Sequence, residues 1–264
     1  DCLYKLPKKY HSIINIINLN YLDARGPTKA RYLIQREYSG EEYYLQIDSH
    51  TLFKKHWDTQ LKNTLNLLPK KSCLTQYLPE YYYTTATNQN QNQNQNTNTK
   101  KNNKLRGPLN VVGVNLMDGF TRINSYYTKK EKQLFISNSW SASFSFSNGD
   151  ICKDAPIDPY TPHLFFGEEM DITLRLYTRN WNFYSPNYII AHTNFNRDYR
   201  KTFWENDNYN YSITTCSRLR VHYRIGSLPK NINLPEELLI DSEKYKLGKD
   251  KTLKDYEKLI GFNI

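Results

Sequence analysis

The chain has 264 residues, and its 36 Lys and Arg against 26 Asp and Glu give a formal net charge of +10. This length suits one or two domains with a sizeable core, and an aromatic content of 14% excludes a disordered chain. No stretch reaches the roughly 18 consecutive apolar residues of a membrane-spanning helix. The sequence therefore predicts a globular protein without a membrane span.

Cysteine usage and charge distribution narrow the class of protein further. Cys2, Cys73, Cys152 and Cys216 are far apart, and no CxxC pair occurs. This spacing is typical of a reduced protein and predicts a cytoplasmic location. The Lys and Arg residues are scattered through the chain, which favours a solvated surface over a nucleic-acid-binding face. We therefore expect no nucleic-acid partner.

The first predicted elements form a βαβ unit. Residues 12–20 (SIINIINLN) are a β-branched apolar run that predicts a strand buried on both faces. A helix should begin at Pro27 and end before Gly40, and residues 43–47 predict a second strand. Strand, helix and strand in this order predict an α/β sheet with a right-handed crossover.

The segment 84–104 (TTATNQNQNQNQNTNTKKNNK) alternates Asn and Gln and has no apolar side chain after Ala86. Such a composition cannot offset the entropy lost on folding, so we expect a flexible insertion between residues 1–83 and 105–264. The alternative is a prion-like interaction segment.

The second half alternates strands and helices. Its predicted strands cover 107–116, 139–146 and 188–191, and its predicted helices cover 168–178 and 252–260. Residues 116–127 show no interpretable pattern, and we assign the recognition of an acceptor to loops of this kind.

A candidate metal site follows the strand at 43–47. Asp48 and His50 are two residues apart, so on an extended segment they point the same way, beyond the end of a strand where ligands bind in α/β sheets. A carboxylate with an imidazole suits Mn²⁺ or a similar divalent ion better than Ca²⁺. The alternative is that Asp48 caps a helix over 51–57 and His50 is an ordinary surface residue.

A candidate phosphate site opens the helix that begins at Pro27. Arg25 and Arg31 flank the start of this helix in the segment DARGPTKAR. Free backbone N–H groups, the helix dipole and guanidinium groups favour a phosphate there. The alternative is a proline-started helix with solvated arginines.

Two further candidates lie in the second half. Glu168 and Glu169 open the predicted helix 168–178 after the apolar run LFFG, which could carry them into a site. The alternative is that the helix dipole alone explains acids at this end. His192 follows the predicted strand 188–191 as a possible third metal ligand, or as a hydrogen-bonded core or surface histidine.

Taken in order, these motifs resemble a known enzyme family. ARGPTKAR, a Gly-Glu pair, LQIDSH and Trp57-Asp58 are similar to the donor half of GT-A nucleotide-sugar glycosyltransferases, and the Asp-x-His form resembles polypeptide N-acetylgalactosaminyltransferases. Residues 156–192, followed by Arg197 and Trp204, resemble the cytosolic hydroxyproline N-acetylglucosaminyltransferases that modify a ubiquitin-ligase adaptor. The likeness runs from 20 to 192 without the insertion and resumes at 247–262.

The resemblance implies a fold and an organisation. We expect one GT-A-like domain over 1–264, of α/β class with a mixed sheet. Residues 1–83 would form its donor and metal-binding half, and 105–264 its sugar and acceptor half. The first strand and helix of the family fold are expected to precede Asp1.

The resemblance also implies roles for individual residues. Asp48, His50 and His192 would hold Mn²⁺, or Mg²⁺ in its place. Glu168 and Glu169 would act at the sugar and the acceptor. The residues implied in donor binding are Arg25, Gly26, Arg31, Gln46 and Trp140, the last of which has a core aromatic as its alternative role.

The implied activity is metal-dependent, retaining transfer of N-acetylglucosamine from UDP-GlcNAc to a protein hydroxyl, on hydroxyproline or Ser/Thr. The partners would be the UDP-sugar donor and an acceptor protein such as a ubiquitin-ligase adaptor. The alternative is an inactive relative or fragment that binds a protein or glycan through the same cleft. Missing N-terminal elements favour this alternative, and the intact candidate ligands argue against it.

Overall fold

The structure is a computed structural model that describes residues 6–80, 109–127, 134–195, 201–206, 208–229 and 231–264. The predicted insertion at 84–104 lies outside the described residues, as do Asp1, Cys2 and Arg197.

The central element is a mixed five-stranded sheet with the strand order β1-β7-β3-β8-β6. Its strands are β1 (Tyr43–Ile47), β3 (Ser72–Thr75), β6 (Leu134–Ser137), β7 (Phe144–Asn148) and β8 (Asn182–Pro186). Strands β3 and β8 run parallel, and the other neighbours are antiparallel. Two separate pairs are β2 (Thr51–Phe53) with β9 (Ala191–Thr193), and β4 (Leu109–Met117) with β5 (Phe120–Tyr127).

Six α-helices occur in the described residues. They are α1 (Pro27–Gln35), α2 (Trp57–Leu65), α3 (Ile151–Asp154), α4 (Glu168–Tyr177), α5 (Tyr211–Ile225) and α6 (Leu253–Ile260). None of the helices in the described parts of the chain has the length and apolar character needed to cross a bilayer.

Both faces of the sheet are covered. Leu74 of β3 packs in a buried cluster with Leu61 and Leu65 of α2, whereas its neighbour Cys73 packs in a cluster with Ile172 and Leu176 of α4. Successive strand residues point to opposite faces, so α2 and α4 lie on opposite sides of the sheet. Helix α4 is thereby held between the sheet and a third cluster formed with α5 and α6.

Several predicted elements are confirmed. Helix α1 begins at Pro27, β1 covers 43–47, and α4 begins at Glu168. Helix α6 begins after Thr252, whose side chain accepts a hydrogen bond from the backbone N–H of Asp255. Each of these boundaries depends on a local signal, which explains why the sequence alone could place them.

The strand predicted at 12–20 is wrong. A 3₁₀ helix, Lys8–Ile13, and an extended segment occupy this region, and the side chain of Ile13 is 78% exposed. In the part of the chain that the structure describes, no strand pairs with residues 12–20. The predicted βαβ unit and its crossover therefore do not form, because an apolar run becomes a buried strand only where another strand offers backbone hydrogen bonds.

Other boundaries also need correction. Residues 51–53 form β2 rather than the start of a helix, and α2 begins only at Trp57. The strand predicted at 139–146 begins at Phe144, because the preceding backbone bonds to side chains of α4 and β3. His192 lies inside β9 rather than after a strand. The uninterpreted region 116–127 is part of the β4–β5 hairpin.

Candidate active site

A cavity of about 600 Å³ lies where the first turns of α1 and α4 approach the segment that follows β1. Seven predicted site residues line this cavity: Arg25, Gly26, Arg31, Asp48, His50, Glu168 and Glu169. They come from three separate parts of the sequence, so the fold itself brings them together.

The turn before α1 forms one wall. Gly26 has φ +83°, and a Cβ atom there would lie 3.3 Å from the Cα of His163 and from the ring of Phe203. The carbonyl of Arg25 accepts a 2.6 Å hydrogen bond from the backbone N–H of His163. Arg25 donates only to the carbonyls of Leu22 and Ala24, so among the described residues its guanidinium has no carboxylate bonded to it.

Arg31 links two acidic side chains across the cavity wall. One guanidinium nitrogen, Nη2, lies 2.9 Å from Oδ1 of Asp48, and Nη1 bonds to Oε2 of Glu168. Burial alone lowers the pKa of Arg31, but the charges of Glu168 and Asp48 outweigh it and raise the pKa. Arg31 therefore stays charged and joins the end of β1 to the first turn of α4.

Asp48 and His50 face the same cavity, as their spacing predicts. Oδ2 of Asp48 lies 3.8 Å from Nε2 of His50. The hydroxyl of Thr51 donates to the carbonyl of Asp48 over 2.7 Å, which holds the turn between β1 and β2. One carboxylate oxygen of Asp48 therefore pairs with Arg31, and the other faces the imidazole of His50.

His192 occupies a different position. It lies on β9 opposite Leu52 of β2, and it is not among the residues that line the cavity. Burial and then the charge of Lys54 lower its pKa, which favours the neutral imidazole that a metal needs. Within the described residues, no three His, Cys, Asp or Glu side chains are close enough to hold a metal ion.

The acidic pair at the start of α4 has two different environments. Glu168 is buried against Arg31, and no hydrogen-bond partner of its Oε1 occurs within the described ranges. Oε1 of Glu169 accepts a 2.9 Å hydrogen bond from the backbone N–H of Ala142. Burial raises the pKa of Glu169 to about 7, so this carboxyl group can gain or lose a proton near neutral pH.

Gln46 and Trp140 lie behind the wall. The amide of Gln46 donates to the carbonyl of Ala142 over 2.8 Å. Trp140 is 3% exposed and belongs to the buried cluster that contains Ile172 and Trp181. Its environment is therefore that of a core aromatic residue, the alternative given by the sequence.

Sequence reasoning missed the contribution of the β4–β5 hairpin. Thr121 and Arg122 line the cavity, and the Arg122 Cζ lies 3.4 Å from the centroid of the Phe166 ring. Asp118 and Gly119 both have positive φ, at 53° and 77°. An Asp-Gly pair is a strong signal for a hairpin turn, so the sequence did contain the information needed to find this element.

Comparisons with known proteins agree with this architecture. A family model described as "Glycosyltransferase (GlcNAc)" matches residues 5–264. The fold is similar to that in the crystal structure of GalNAc-T7 with UDP, GalNAc and Mn²⁺, with a TM-score of 0.51 at 11% sequence identity. This match covers 90% of the chain but only 43% of the GalNAc-T7 chain. No curated protein sequence matches.

The structural likeness confirms the predicted mixed α/β fold of the GT-A type. At this level of identity it shows the fold alone, and the chain spans less than half the length of the solved protein that it resembles. The family model extends over nearly all residues, including every cavity-lining residue named above. The chain therefore belongs to the GlcNAc glycosyltransferase family.

Proposed function

We propose that the protein transfers N-acetylglucosamine from UDP-GlcNAc to a protein hydroxyl, with a divalent metal and with retention of the anomeric configuration. The observation that supports this most is the linked set Asp48, Arg31 and Glu168 on one cavity wall. It connects the proposed metal-binding end of β1 to the proposed sugar-binding end of α4, and the chain belongs to a family of sugar transferases.

The metal proposal rests on the chemistry of the side chains. A carboxylate and an imidazole, 3.8 Å apart at the cavity, fit a divalent ion such as Mn²⁺ or Mg²⁺. Asp48 and His50 would hold the ion, whereas His192 does not line the cavity and completes no three-residue metal group in the described residues. When bound, such an ion neutralises the charge that develops on a departing diphosphate. The GalNAc-T7 structure contains Mn²⁺ and UDP, which supports this assignment.

The residues at the start of α1 would bind the anionic part of the donor. Helix α1 has nine residues, and its first turn lines the cavity beside Arg25 and Gly26. The start of a helix carries free backbone N–H groups that favour an anion. Among the described residues, the guanidinium of Arg25 bonds only to carbonyls, which leaves its charge available to a phosphate. Gln46 and Trp140 would support the donor site from behind the wall.

Glu168 and Glu169 would act at the sugar and the acceptor. Glu168, ion-paired with Arg31, would accept hydrogen bonds from sugar hydroxyls and stabilise the positive charge of an oxocarbenium-like sugar. Glu169 would orient the incoming hydroxyl. In a retaining transfer the acceptor approaches on the face that the nucleotide leaves, so the departing phosphate can take the proton and a strong protein base is not required.

The direct test is hydrolysis of UDP-GlcNAc, measured with Mn²⁺ and with a chelator. We expect Asp48→Ala to lose metal-stimulated hydrolysis by about 100-fold, since removing one metal-ligand oxygen removes charge stabilisation. Asp150→Ala is a matched control, because Asp150 is exposed outside this cavity. Equal rates in the wild type and both variants, with and without Mn²⁺, would contradict the metal proposal.

One observation favours a second candidate, an inactive relative that binds a protein or glycan. Asp48 is already paired with Arg31, and no three-ligand metal group occurs in the described part of the chain. Calorimetry with UDP separates the candidates. The transferase should bind UDP more tightly with Mn²⁺ than with a chelator, whereas a binding module should show no such difference.

The remaining assignments are part of the same proposal. We propose one domain over 1–264, since β1 from 1–83 pairs with β7 from 105–264. We also propose hydroxyproline or Ser/Thr as the modified residue and a ubiquitin-ligase adaptor as an acceptor. The proposed location is cytoplasmic, and cell fractionation can test it.

A further inference from the structure

Arg122 differs from every residue that the motifs identified, because it reaches the cavity from the β4–β5 hairpin outside the main sheet. The proposed donor, metal and acidic residues come from the segments around α1, β1 and α4. The sequence assigned acceptor recognition to residues 116–127 in general, but to no individual residue of the hairpin. Its contribution to the cavity therefore needs a separate explanation.

The hairpin is firmly attached beside the start of α4. Phe120 is completely buried, and a Cβ atom on Gly167 would come within 2.8 Å of its ring. The backbone N–H of Thr121 lies 3.1 Å from the sulfur of Met170. Arg218 donates to the carbonyl of Asp118 over 2.7 Å. These contacts fix the position of the next residue, Arg122, relative to Glu168 and Glu169.

The guanidinium of Arg122 is largely buried but, within the described ranges, makes few hydrogen bonds or ion pairs that would offset the cost of removing its charge from water. Its side chain is 15% exposed, and its Nε is buried without a hydrogen-bond partner in the described parts of the chain. Its ion-pair partner in the described residues, Asp118, lies 3.8 Å from Nη2 and is 65% exposed, so the pair is weak. Burial lowers the pKa of Arg122, and the charges of Asp118 and Glu169 oppose this only in part.

A comparison with Arg31 shows that Arg122 lacks, in the part of the chain that the structure describes, the close carboxylate partners that stabilise a buried guanidinium. Arg31 has a carboxylate on each side, from Asp48 and Glu168. Arg122 instead stacks on Phe166, which covers one face of the guanidinium and leaves its edge for a ligand in the cavity. A desolvated charge is costly unless an opposite charge meets it.

We propose that Arg122 binds an anionic oxygen group of a substrate. The guanidinium fork matches both a carboxylate and a phosphate. This anion could belong to the diphosphate of the donor or to an acidic side chain next to the hydroxyl of the acceptor. The inference rests on the proposed function, which makes this cavity the place where donor and acceptor meet.

The donor source is tested by calorimetry with UDP and with uridine, in the presence of Mn²⁺. If Arg122 binds the diphosphate, Arg122→Gln weakens UDP binding about 10- to 100-fold, as expected for hydrogen bonds to a charged group, and leaves uridine binding unchanged. Arg36→Gln is the matched control, because Arg36 also stacks on an aromatic ring, that of Tyr32, but outside the cavity.

The acceptor source is tested with two pools of synthetic peptides. Each peptide has a central Ser, Thr or hydroxyproline, flanked by Glu in one pool and by Gln in the other. If Arg122 binds the acceptor, the wild type and Arg36→Gln modify the Glu pool faster, and Arg122→Gln reduces this preference about tenfold without a change in UDP binding.

The outcomes separate the two proposals. If the wild type binds UDP, but Arg122→Gln has the same UDP affinity and the same preference for the Glu pool as Arg36→Gln, the role proposed for Arg122 is contradicted. The proposed function then stands. If the wild type does not bind UDP, both are overturned. If Arg122→Gln fails to fold, Arg122→Lys is used instead, because it keeps the positive charge but loses the planar, bidentate donors of the guanidinium. Wild-type behaviour of Arg122→Lys in both assays would contradict the proposal.

Discussion

Two charge clusters both include an acid from the first turn of α4, and they differ in how accessible their charged groups are. The closed cluster consists of Asp158, Asp171, Arg175, Arg220 and Arg224. The open cluster consists of Arg31, Asp48 and Glu168 at the cavity. Helix α4 contributes an acid to each, Glu168 to the open cluster and Asp171, three residues later, to the closed one.

In the closed cluster, protein groups surround the charges, although the three guanidinium nitrogens of Arg175 have no hydrogen-bond partner in the described residues. Asp158 accepts from Arg220 over 2.7 Å and also bonds to Arg224. Arg220 donates in addition to the carbonyls of Leu238 and Ile240, which holds the C-terminal segment against α5. All five charged side chains are nearly or fully buried.

In the open cluster, side-chain oxygens and nitrogens remain at a cavity wall that solvent or a ligand can reach. The side chain of Asp48 is 29% exposed, and Glu168 keeps one oxygen that is not hydrogen-bonded in the described parts of the structure. The comparison teaches that ion pairing alone does not distinguish a structural cluster from a functional one. The distinguishing property is access to a cavity.

The largest effect should come from breaking the closed cluster. Asp158→Asn leaves Arg220 and Arg224 buried without their shared carboxylate, so we expect the free energy of unfolding to fall by about 3–5 kcal/mol. Urea unfolding measures this loss. Asp150→Asn is the control, since Asp150 is an exposed partner of Lys153 and should cost less than about 0.5 kcal/mol. A loss below about 1 kcal/mol for Asp158→Asn would show that the cluster contributes little.

The next effect concerns the start of α4, which bears the acids of the open cluster. Gly167→Ala places a methyl group against the Phe120 ring at φ +111°, so we expect a loss of about 3 kcal/mol. Gly226→Ala is the matched control, because Gly226 also has positive φ but no atom within 4 Å of its added Cβ. It should lose only about 1 kcal/mol. Equal thermal unfolding of the two variants would contradict the tight contact.

An effect of similar size should depend on pH. The pKa of Glu169 is about 7 in the folded protein, above the ordinary value of 4.5, so between these values the folded state binds more protons than the unfolded state. Stability should therefore fall as the pH rises through this window, by about 3 kcal/mol for this group. Glu169→Gln should remove that part of the pH dependence.

The measurement is urea unfolding at pH 4.5 and at pH 8, with Glu42→Gln as an exposed control outside the cavity. The difference in stability between Glu169→Gln and the wild type should increase in favour of the variant toward pH 8. If the difference in the free energy of unfolding between Glu169→Gln and the wild type is the same at both pH values, burial does not raise the pKa of Glu169.

The smallest effect on stability is expected for Asp48. Its side chain is partly exposed and Arg31 keeps Glu168 as a partner, so Asp48→Ala should lose less than about 1 kcal/mol while metal-stimulated hydrolysis falls. Thermal unfolding and hydrolysis are measured on the same preparation. If Asp48→Ala lowers the free energy of unfolding as much as Asp158→Asn does, Asp48 mainly stabilises the fold, and the two clusters do not differ as described.

Much of the local structure could be predicted from short sequence signals. Pro27 marks the start of α1, and Thr252 caps α6. Asp48 and His50 line one cavity as expected, but they lie in a turn after β1 rather than on the extended segment from which this was predicted. The Asp118-Gly119 turn was equally readable but was not interpreted. These features depend on residues within a few positions of one another.

The sequence could not show which distant groups would meet. The apolar run at 12–20 predicted a buried strand, yet among the described residues it has no strand partner. Helix α5 was not predicted, although it supplies Arg220 and Arg224 to the closed cluster. The stacking of Arg122 on Phe166 depends on how the hairpin packs against α4, which no local pattern contains.

The sequence by itself determined the order of the motifs, the GT-A class of the fold and the charged residues Arg25, Arg31, Asp48, Glu168 and Glu169 at the cavity. Only the tertiary structure decided that Arg31 pairs with Glu168, 137 positions away, and that Trp140 lies in the core. Local conformation follows from the stereochemistry of neighbouring residues. Ion pairs and burial follow from the packing of elements that are far apart in the chain, and the burial of each charge depends on all of them together.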